Sequence, residues 1–272
     1  MRKCAWWNQM RKNRRVVGVL LKLRFQRLMM FRLSFFAPFF VDGSLFVIQL
    51  LVFKAIYANV DRIGTWGKGE VIMFIGTFSL LNAVNMVVYF FGVNEIPNKI
   101  RSGEMDLYLS KPVSPLLRLS LENVNPGSIP LVIMSICIIA YGIHESHVLI
   151  TGKLIVSYLF WLLLMVILYY EMEVIVRSVA FFLVSIQNVS KIEESGLEMC
   201  MQLPGIVFTG IYKVIFCVIL PYGIMATIPV QVLIGELNCR MALQGFSIVV
   251  VFTGITMLLW KTGIRKYNSV NS

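Results

Sequence analysis

The sequence predicts an all-α integral membrane protein with about six transmembrane helices, cytoplasmic N- and C-termini, and interfacial amphipathic helices. Composition is the first observation behind this prediction: 58% of the 272 residues are hydrophobic and 14% are charged, whereas a soluble domain carries about 25% charged residues. So few charged residues cannot cover the surface of a water-soluble globule. The second observation is that the apolar residues occur in long blocks, and the third is that the basic residues are concentrated on one side of those blocks.

The apolar blocks define the predicted spans. Most contain the ~20 residues that a helix needs to cross ~30 Å of hydrocarbon, and they cover 35–56, 71–93, 128–143, 153–173, 213–231 and 243–260. They delimit a transmembrane domain at 35–260, preceded by a basic cytoplasmic segment at 1–34 and followed by a cytoplasmic tail at 261–272. The third block is short. The fourth can continue as a half-span or a broken helix, because Val174–Ile186 is again mostly apolar.

The charges of the loops set the predicted orientation. With both termini inside, the cytoplasmic segments hold 18 Lys and Arg residues and the external loops hold 4, which is the bias that the positive-inside rule describes. Ten of the 18 precede the first span, in residues 1–34, where no acidic residue occurs. Residues 14–32 of that segment form a predicted amphipathic helix on the inner leaflet. Because this basic helix lies directly before a span, we predict contact with the lipid bilayer and no nucleic-acid partner.

No pattern in the sequence predicts catalysis. It has no GxxxxGK[ST] phosphate loop, no HExxH and no GxSxG, so we predict that the chain is not an enzyme and binds no cofactor itself. Its two histidines, His144 and His147, lie in a predicted external loop and are too few for a zinc site, which takes at least three protein ligands. The five cysteines show no CxxC spacing and are interpreted as small buried hydrophobic residues. No metal site is predicted.

Charged residues inside predicted spans are candidates for function. Asp42 lies in the first span, where it could line a translocation pathway or contact a second subunit; it could equally bond to a nearby hydroxyl such as that of Ser44. Glu173 and Arg177 lie at the inner end of the fourth span. They are four residues apart and can pair on one helix face, so we interpret them as a structural ion pair.

The cytoplasmic stretch 94–127 carries the most informative polar pattern. Gly103 suits the C-terminal cap of a helix at 98–102, and Pro112 and Pro115 prevent a long regular helix. The mixture of acidic and basic residues favours a folded docking surface over a basic tail. An ordinary solvated loop is the alternative interpretation of the same residues.

A second amphipathic helix is predicted at Val189–Leu203. Ile192 and Met199 share its apolar face, while the charged residues lie opposite. Pro204 ends the helix before the fifth span. We therefore predict another interfacial helix on the cytoplasmic side.

The cytoplasmic stretch also resembles a known family. Residues 100–115, which read IRSGEMDLYLSKPVSP, closely resemble the loop between the second and third spans of a bacterial family of ATP-binding-cassette (ABC) type-2 permeases. Three other stretches are similar to the same family, in the same order along the chain: FR before the first span, LPYGIMA at 220–226 followed by Pro229, and WKTGIRKYNS at 260–269. The resemblance thus covers nearly the whole chain.

The resemblance implies a function, a location and partners. It implies the permease subunit of an ABC transporter in the bacterial cytoplasmic (inner) membrane, with a second permease subunit, identical or paralogous. A separate cytoplasmic ATPase would use ATP and Mg²⁺. The implied ATPase-coupling surface consists of Ile100, Arg101, Ser102, Gly103, Glu104, Asp106 and Pro112.

The predicted external loops are short, which favours export over import. Two other functions are compatible with the sequence. One is a stand-alone secondary carrier, which should show repeated halves and helices broken near the bilayer midplane. The other is a membrane scaffold or assembly protein. The substrate is not readable, because the Phe, Met and aliphatic residues of the spans occur on any lipid-facing helix.

Overall fold

The computed structural model describes residues 62–111, 114–183 and 185–270, and in addition the positions Phe40, Gly43, Ser44, Val47, Ile48 and Leu51, which are helical. The described chain is helical apart from its loops and one isolated β-bridge between Ile63 and Trp66. This confirms the predicted all-α membrane protein. The predicted segment 1–34 with its helix at 14–32, most of the first span, Asp42 and Pro112 lie outside the described residues.

The first half of the described chain contains one long helix and a series of short ones. These are α1 (Lys68–Val88), α2 (Phe90–Asn94), α3 (Ile96–Arg101), α4 (Asp106–Leu109) and α5 (Pro115–Glu122). Proline occupies the first turn of α3 and of α5, where its missing N–H leaves no bond unmade. The short helices follow the predicted interruption of regular structure in this stretch.

Three further helices bring the chain back across the molecule: α6 (Ile129–Ser146), α7 (Gly152–Ser178) and α8 (Gln187–Gln202). The predicted third span was therefore three residues too short at its end. The predicted fourth span continues without a break to Ser178, and a 3₁₀ turn extends it to Phe181. The half-span or broken helix considered at this point is not formed.

The last part of the described chain starts with a bent pair of helical segments. The first segment consists of α9 (Gly210–Val214) and a π-helical continuation, Ile215–Ile219; the second consists of α10 (Tyr222–Met225) and α11 (Thr227–Leu233). The two segments meet at an angle of 77°. The long helix α12 (Cys239–Val270) follows.

Four helical segments among the described residues are long and apolar enough to cross a bilayer: Lys68–Val88, Pro126–Ser146, Gly152–Phe181 and Cys239–Tyr267. The bent pair, Gly210–Ile219 with Tyr222–Leu233, makes a fifth if it is taken as one span. The predicted fifth span, 213–231, is therefore wrong as a straight helix. It breaks at Leu220 and Pro221, because proline cannot donate the backbone hydrogen bond that would continue the helix.

α1 packs closely against α6 through glycine. A Cβ atom added to Gly142 would lie 2.7 Å from the backbone nitrogen of Met73, and one added to Gly76 would lie 2.8 Å from that of Ile139. Small residues of this kind let helix backbones approach each other in membranes, where hydrophobic burial alone does not drive helices together. The two helices therefore form a tightly packed pair.

Several helix ends meet on one side of the molecule, which we call the outer side in agreement with the loop charges. The start of α1 lies beside the end of α6, where Lys68 Nζ is 2.8 Å from Glu145 Oε1. The start of α12 is on the same side, because Arg240 and Thr65 line one cavity. The opposite side, where α1 and α7 end, is the inner side.

α8 runs between these two sides. Near its start, Glu193 pairs with Arg177 at the inner end of α7, whereas Gly205 and Ile206, just beyond its end, line the outer cavity together with Thr65. The bent pair starts and ends on the outer side, because Lys213 and Gln231 line that cavity too. We therefore call it the re-entrant pair, and α8 joins the inner end of α7 to its outer start.

The amphipathic helix predicted at Val189–Leu203 is formed as α8, with the bounds Gln187–Gln202. Ile192 and Met199 are exposed, and so are the charged residues Lys191, Glu194 and Glu198. A third side of the helix, with Glu193 and Cys200, is buried in the protein. The sequence did not predict the buried side, because the partner of Glu193, Arg177, lies on another helix.

Candidate functional site

The inner side carries a folded unit made of the short helices α2 to α5, residues 90–122, which we call the inner module. Its buried side chains form one apolar cluster with the inner ends of α7 and α12. The cluster contains Tyr89, Val93, Ile96, Met105, Tyr108 and Leu119 from α1 and the module, together with Val174, Phe181, Trp260 and Tyr267. The stretch is therefore not an ordinary solvated loop, and the prediction of a folded surface is correct for its described residues.

Tyr108 organises the polar side of the inner module. Its hydroxyl donates a hydrogen bond to the Glu122 carboxylate at 2.8 Å, and the Arg118 guanidinium lies 4.6 Å from the centre of its ring. The Lys99 ammonium is 5.0 Å from the same ring centre and 3.7 Å from Glu122 and from Glu104. These contacts tie α3, α4 and α5 together.

The same contacts change two pKa values. Burial, and the bond to Glu122, raise the pKa of Tyr108, although Lys99 opposes the shift. Burial alone would lower the pKa of Lys99, but Tyr108 and the carboxylates of Glu122 and Glu104 outweigh it and raise the pKa above 10.5. A lysine whose pKa is raised on folding contributes stability that is lost only when the pH rises past that pKa, so Lys99 keeps its charge at neutral pH.

The end of α12 is bonded directly to the predicted coupling segment. The Tyr267 hydroxyl donates a hydrogen bond to the carbonyl oxygen of Gly103 at 3.3 Å. Gly103 has φ +76° just after the last turn of α3, a conformation that glycine adopts without the strain of a Cβ. The predicted helix cap at this position is confirmed, and it presents its carbonyl to the last transmembrane helix.

Of the predicted coupling residues, Arg101, Ser102, Gly103, Glu104 and Asp106 are exposed, and Ile100 is half-buried against the apolar cluster. They form one continuous exposed strip of the inner module; Pro112 lies outside the described residues. The sequence interpretation missed Leu107, which is 61% exposed directly after Asp106. The sequence signal that could have found Leu107 is its position directly after the charged residues Glu104 and Asp106.

A second polar group lies where the inner ends of the helices meet. Arg177 approaches Glu173 at 3.0 Å and also pairs with Glu193 of α8, and all three side chains are buried. Tyr222, the first residue after the break in the re-entrant pair, donates a hydrogen bond to Glu193 at 2.9 Å. The predicted pair of Glu173 and Arg177 is confirmed. Glu193 and Tyr222 were missed, because they are distant in sequence.

Among the described residues, no group of three or more His, Cys, Asp or Glu side chains could hold a metal ion. His144 and His147 lie at the outer end of α6 with ring centres 6.5 Å apart. The described polar clusters pair acids with bases and tyrosines and so connect neighbouring helices.

Comparison with known proteins gives one match. A family model described as "ABC-2 family transporter protein" matches residues 44–271, which is most of the chain and includes the inner module and the helices α1 to α12. No curated protein and no solved structure matches the chain.

Proposed function

The chain belongs to the ABC-2 transporter family, and from this premise we propose that it is the permease subunit of an exporter driven by a separate cytoplasmic ATPase. Family membership supports a multi-pass membrane subunit of a transporter. The proposal adds the direction of transport and the way in which the ATPase is coupled. The observation that carries the coupling is the inner module, a folded unit bonded to the inner ends of three transmembrane helices.

The inner module has the construction that a mechanical connection requires. It is packed against α7 through Val174 and against α12 through Trp260 and Tyr267. Packed interfaces move as rigid bodies rather than deforming continuously. A displacement of the module by closing ATPase subunits would therefore move the helices with it.

The exposed strip of the module has the chemistry of a docking surface. Protein interfaces combine an apolar centre with a polar rim, and complementary charges orient the partner. Leu107 would supply the centre, and Arg101, Glu104 and Asp106 the rim. Ile100, Ser102 and Gly103 would shape the turn that presents them, and Pro112 would end the surface.

Family membership and the short outer connections support the remaining parts of the proposal. The partners are a cytoplasmic ATPase, which uses ATP and Mg²⁺, and a second permease subunit, identical or paralogous. We place the complex in the bacterial cytoplasmic membrane with both termini inside. Short outer connections, such as 147–151 between α6 and α7, favour export because they offer no domain for capturing a ligand outside. Asp42 is proposed to line the pathway or the contact between subunits.

One observation favours the alternative of a stand-alone carrier. Such carriers contain broken helices, and the bent pair has a break of this kind. Its re-entrant course, however, leaves both ends on the outer side instead of forming a discontinuous span. A scaffold without transport activity is the other alternative, and copurification of an active ATPase separates both alternatives from the proposal.

The test is purification of the chain from its native membrane in mild detergent, with ATP hydrolysis measured on the purified material. The comparison uses Glu104→Lys with Asp106→Lys on the inner module and, as the matched control, Glu236→Lys in the exposed outer loop. We expect an ATPase to copurify with the wild type and the control and to be lost from the double variant. If the wild-type chain elutes without ATPase activity, the permease mechanism proposed here is wrong. If the double variant retains the ATPase as well as the control does, the coupling surface is elsewhere.

A further inference from the structure

The outer side contains a cavity of about 430 Å³ between the loop after α8, the re-entrant pair and the start of α12. Binding pockets for small molecules have volumes of about 300–1,000 Å³. Much of its wall is apolar, with Ile206, Ile224, Ile228 and Met241 among the lining residues. The cavity is distinct from the inner module, which lies at the other ends of the helices.

Two basic side chains line this cavity. Lys213 comes from α9 and Arg240 from the first turn of α12, and neither forms an ion pair with any acidic residue that the structure describes. The N-terminal end of α12 adds the positive end of a long helix dipole beside Arg240. Two cations without acidic partners at an apolar cavity favour an anionic ligand group.

A third polar residue points to a different ligand group. Gln231 lines the cavity and is only 5% exposed, and its Oε1 is buried without a hydrogen-bond partner in the described chain. Leaving a buried acceptor without a donor is costly. The neighbouring Thr227 hydroxyl cannot supply the donor, because it already donates to the Gly223 carbonyl at 2.7 Å and accepts from the Gly205 amide at 2.8 Å. A ligand hydroxyl would satisfy Gln231.

We propose that this cavity binds an anionic lipid with a hydroxylated headgroup. The phosphate lies between Lys213 and Arg240, a headgroup hydroxyl donates to Gln231 Oε1, and the acyl chain covers the apolar wall. Inorganic phosphate would satisfy the two cations but would leave Gln231 without a donor and the apolar wall exposed. The site does not depend on coupling to an ATPase, since it is a property of this chain alone.

The experiment measures lipid retained by the purified chain. The chain is reconstituted in phosphatidylcholine nanodiscs containing an equal small fraction of phosphatidylglycerol and phosphatidic acid, released, and examined by native mass spectrometry. We expect phosphatidylglycerol to be retained most, phosphatidic acid less and phosphatidylcholine least. Equal retention of phosphatidylglycerol and phosphatidylcholine would overturn the proposal. Displacement of the lipid by an equal concentration of inorganic phosphate would reduce the site to a simple anion site and would also overturn it.

Three variants assign the roles. Lys213→Gln with Arg240→Gln should lower the retention of both anionic lipids, by roughly ten-fold for each charge-assisted hydrogen bond lost. Lys153→Gln is the matched control, because Lys153 is an exposed cation on the outer side that does not line the cavity. Gln231→Leu should abolish the preference for phosphatidylglycerol while leaving retention of phosphatidic acid unchanged, which also shows that the variant is folded. An equal loss in the Lys153 control, or an unchanged preference in the Gln231 variant, contradicts the assignment.

Discussion

Replacement of Arg177 by methionine tests whether the buried charges join α7, α8 and the re-entrant pair. Arg177 lies between Glu173 and Glu193, and its removal leaves two buried carboxylates without a described base beside them. Removing one partner of a buried ion pair costs about 3–5 kcal/mol. Because the bond from Tyr222 to Glu193 remains, we take the lower end, about 3 kcal/mol, which is roughly a 150-fold change in the unfolding equilibrium.

The assay is denaturant unfolding in detergent, followed by tryptophan fluorescence, in two backgrounds. In the wild-type background Arg177→Met should destabilise the chain. In the Glu173→Gln, Glu193→Gln background the arginine has no carboxylate to neutralise, so the same replacement should be neutral or stabilising. The difference between the two effects is the coupling energy, expected to exceed about 2 kcal/mol.

A matched control separates this coupling from a general effect of removing a cation. Lys191 is an exposed base on α8 outside the described ion pairs, and Lys191→Met should change stability by less than about 0.5 kcal/mol. If Arg177→Met costs the same in both backgrounds, the three side chains are not energetically coupled. The reasoning that connects α8 to α7 through them would then be refuted.

Three further predictions concern packing and the inner module. Gly142→Ala should destabilise the chain by about 1–3 kcal/mol because the new methyl group meets the α1 backbone. Gly254→Ala is the control, because Gly254 faces open space on α12, and it should stabilise the chain by about 0.5–1 kcal/mol. If thermal unfolding shows melting temperatures that change in the same direction for both variants, the close packing of α1 on α6 is contradicted. Tyr267→Phe should lower stability by about 1 kcal/mol through the lost bond to Gly103, and unchanged proteolysis of the inner module would show that the bond is absent. Gly103→Ala should cost about 1–2 kcal/mol because of its positive φ, and an unchanged melting temperature would contradict that strain.

The sequence predicted those features that depend on neighbouring residues. The long apolar helices, the cap at Gly103, the interruption of regular helix at Pro115 and the pairing of Glu173 with Arg177 all follow from short-range patterns of composition and spacing. The family resemblance was also readable, because its motifs are continuous stretches. Each of these could be derived without knowing where distant segments meet.

The missed features depend on contacts between distant residues. The buried side of α8 is one of them, because only the fold shows that Glu193 pairs with Arg177 and accepts a hydrogen bond from Tyr222. The re-entrant course of the fifth apolar block was hidden for a related reason. Its length and hydropathy equal those of a span, and the direction of the chain after Pro221 is set by packing.

α12 is one continuous helix that extends from the outer cavity to the inner module. Arg240 at the outer cavity and Tyr267 at the inner module belong to the same helix, and at a rise of about 1.5 Å per residue they are about 40 Å apart. A tilt of about 10° about the inner end would displace the outer end by about 7 Å, more than one helical turn. A ligand in the outer cavity and a force on the inner module would therefore both act on the orientation of α12. Each would change the free energy of the other directly through this one helix.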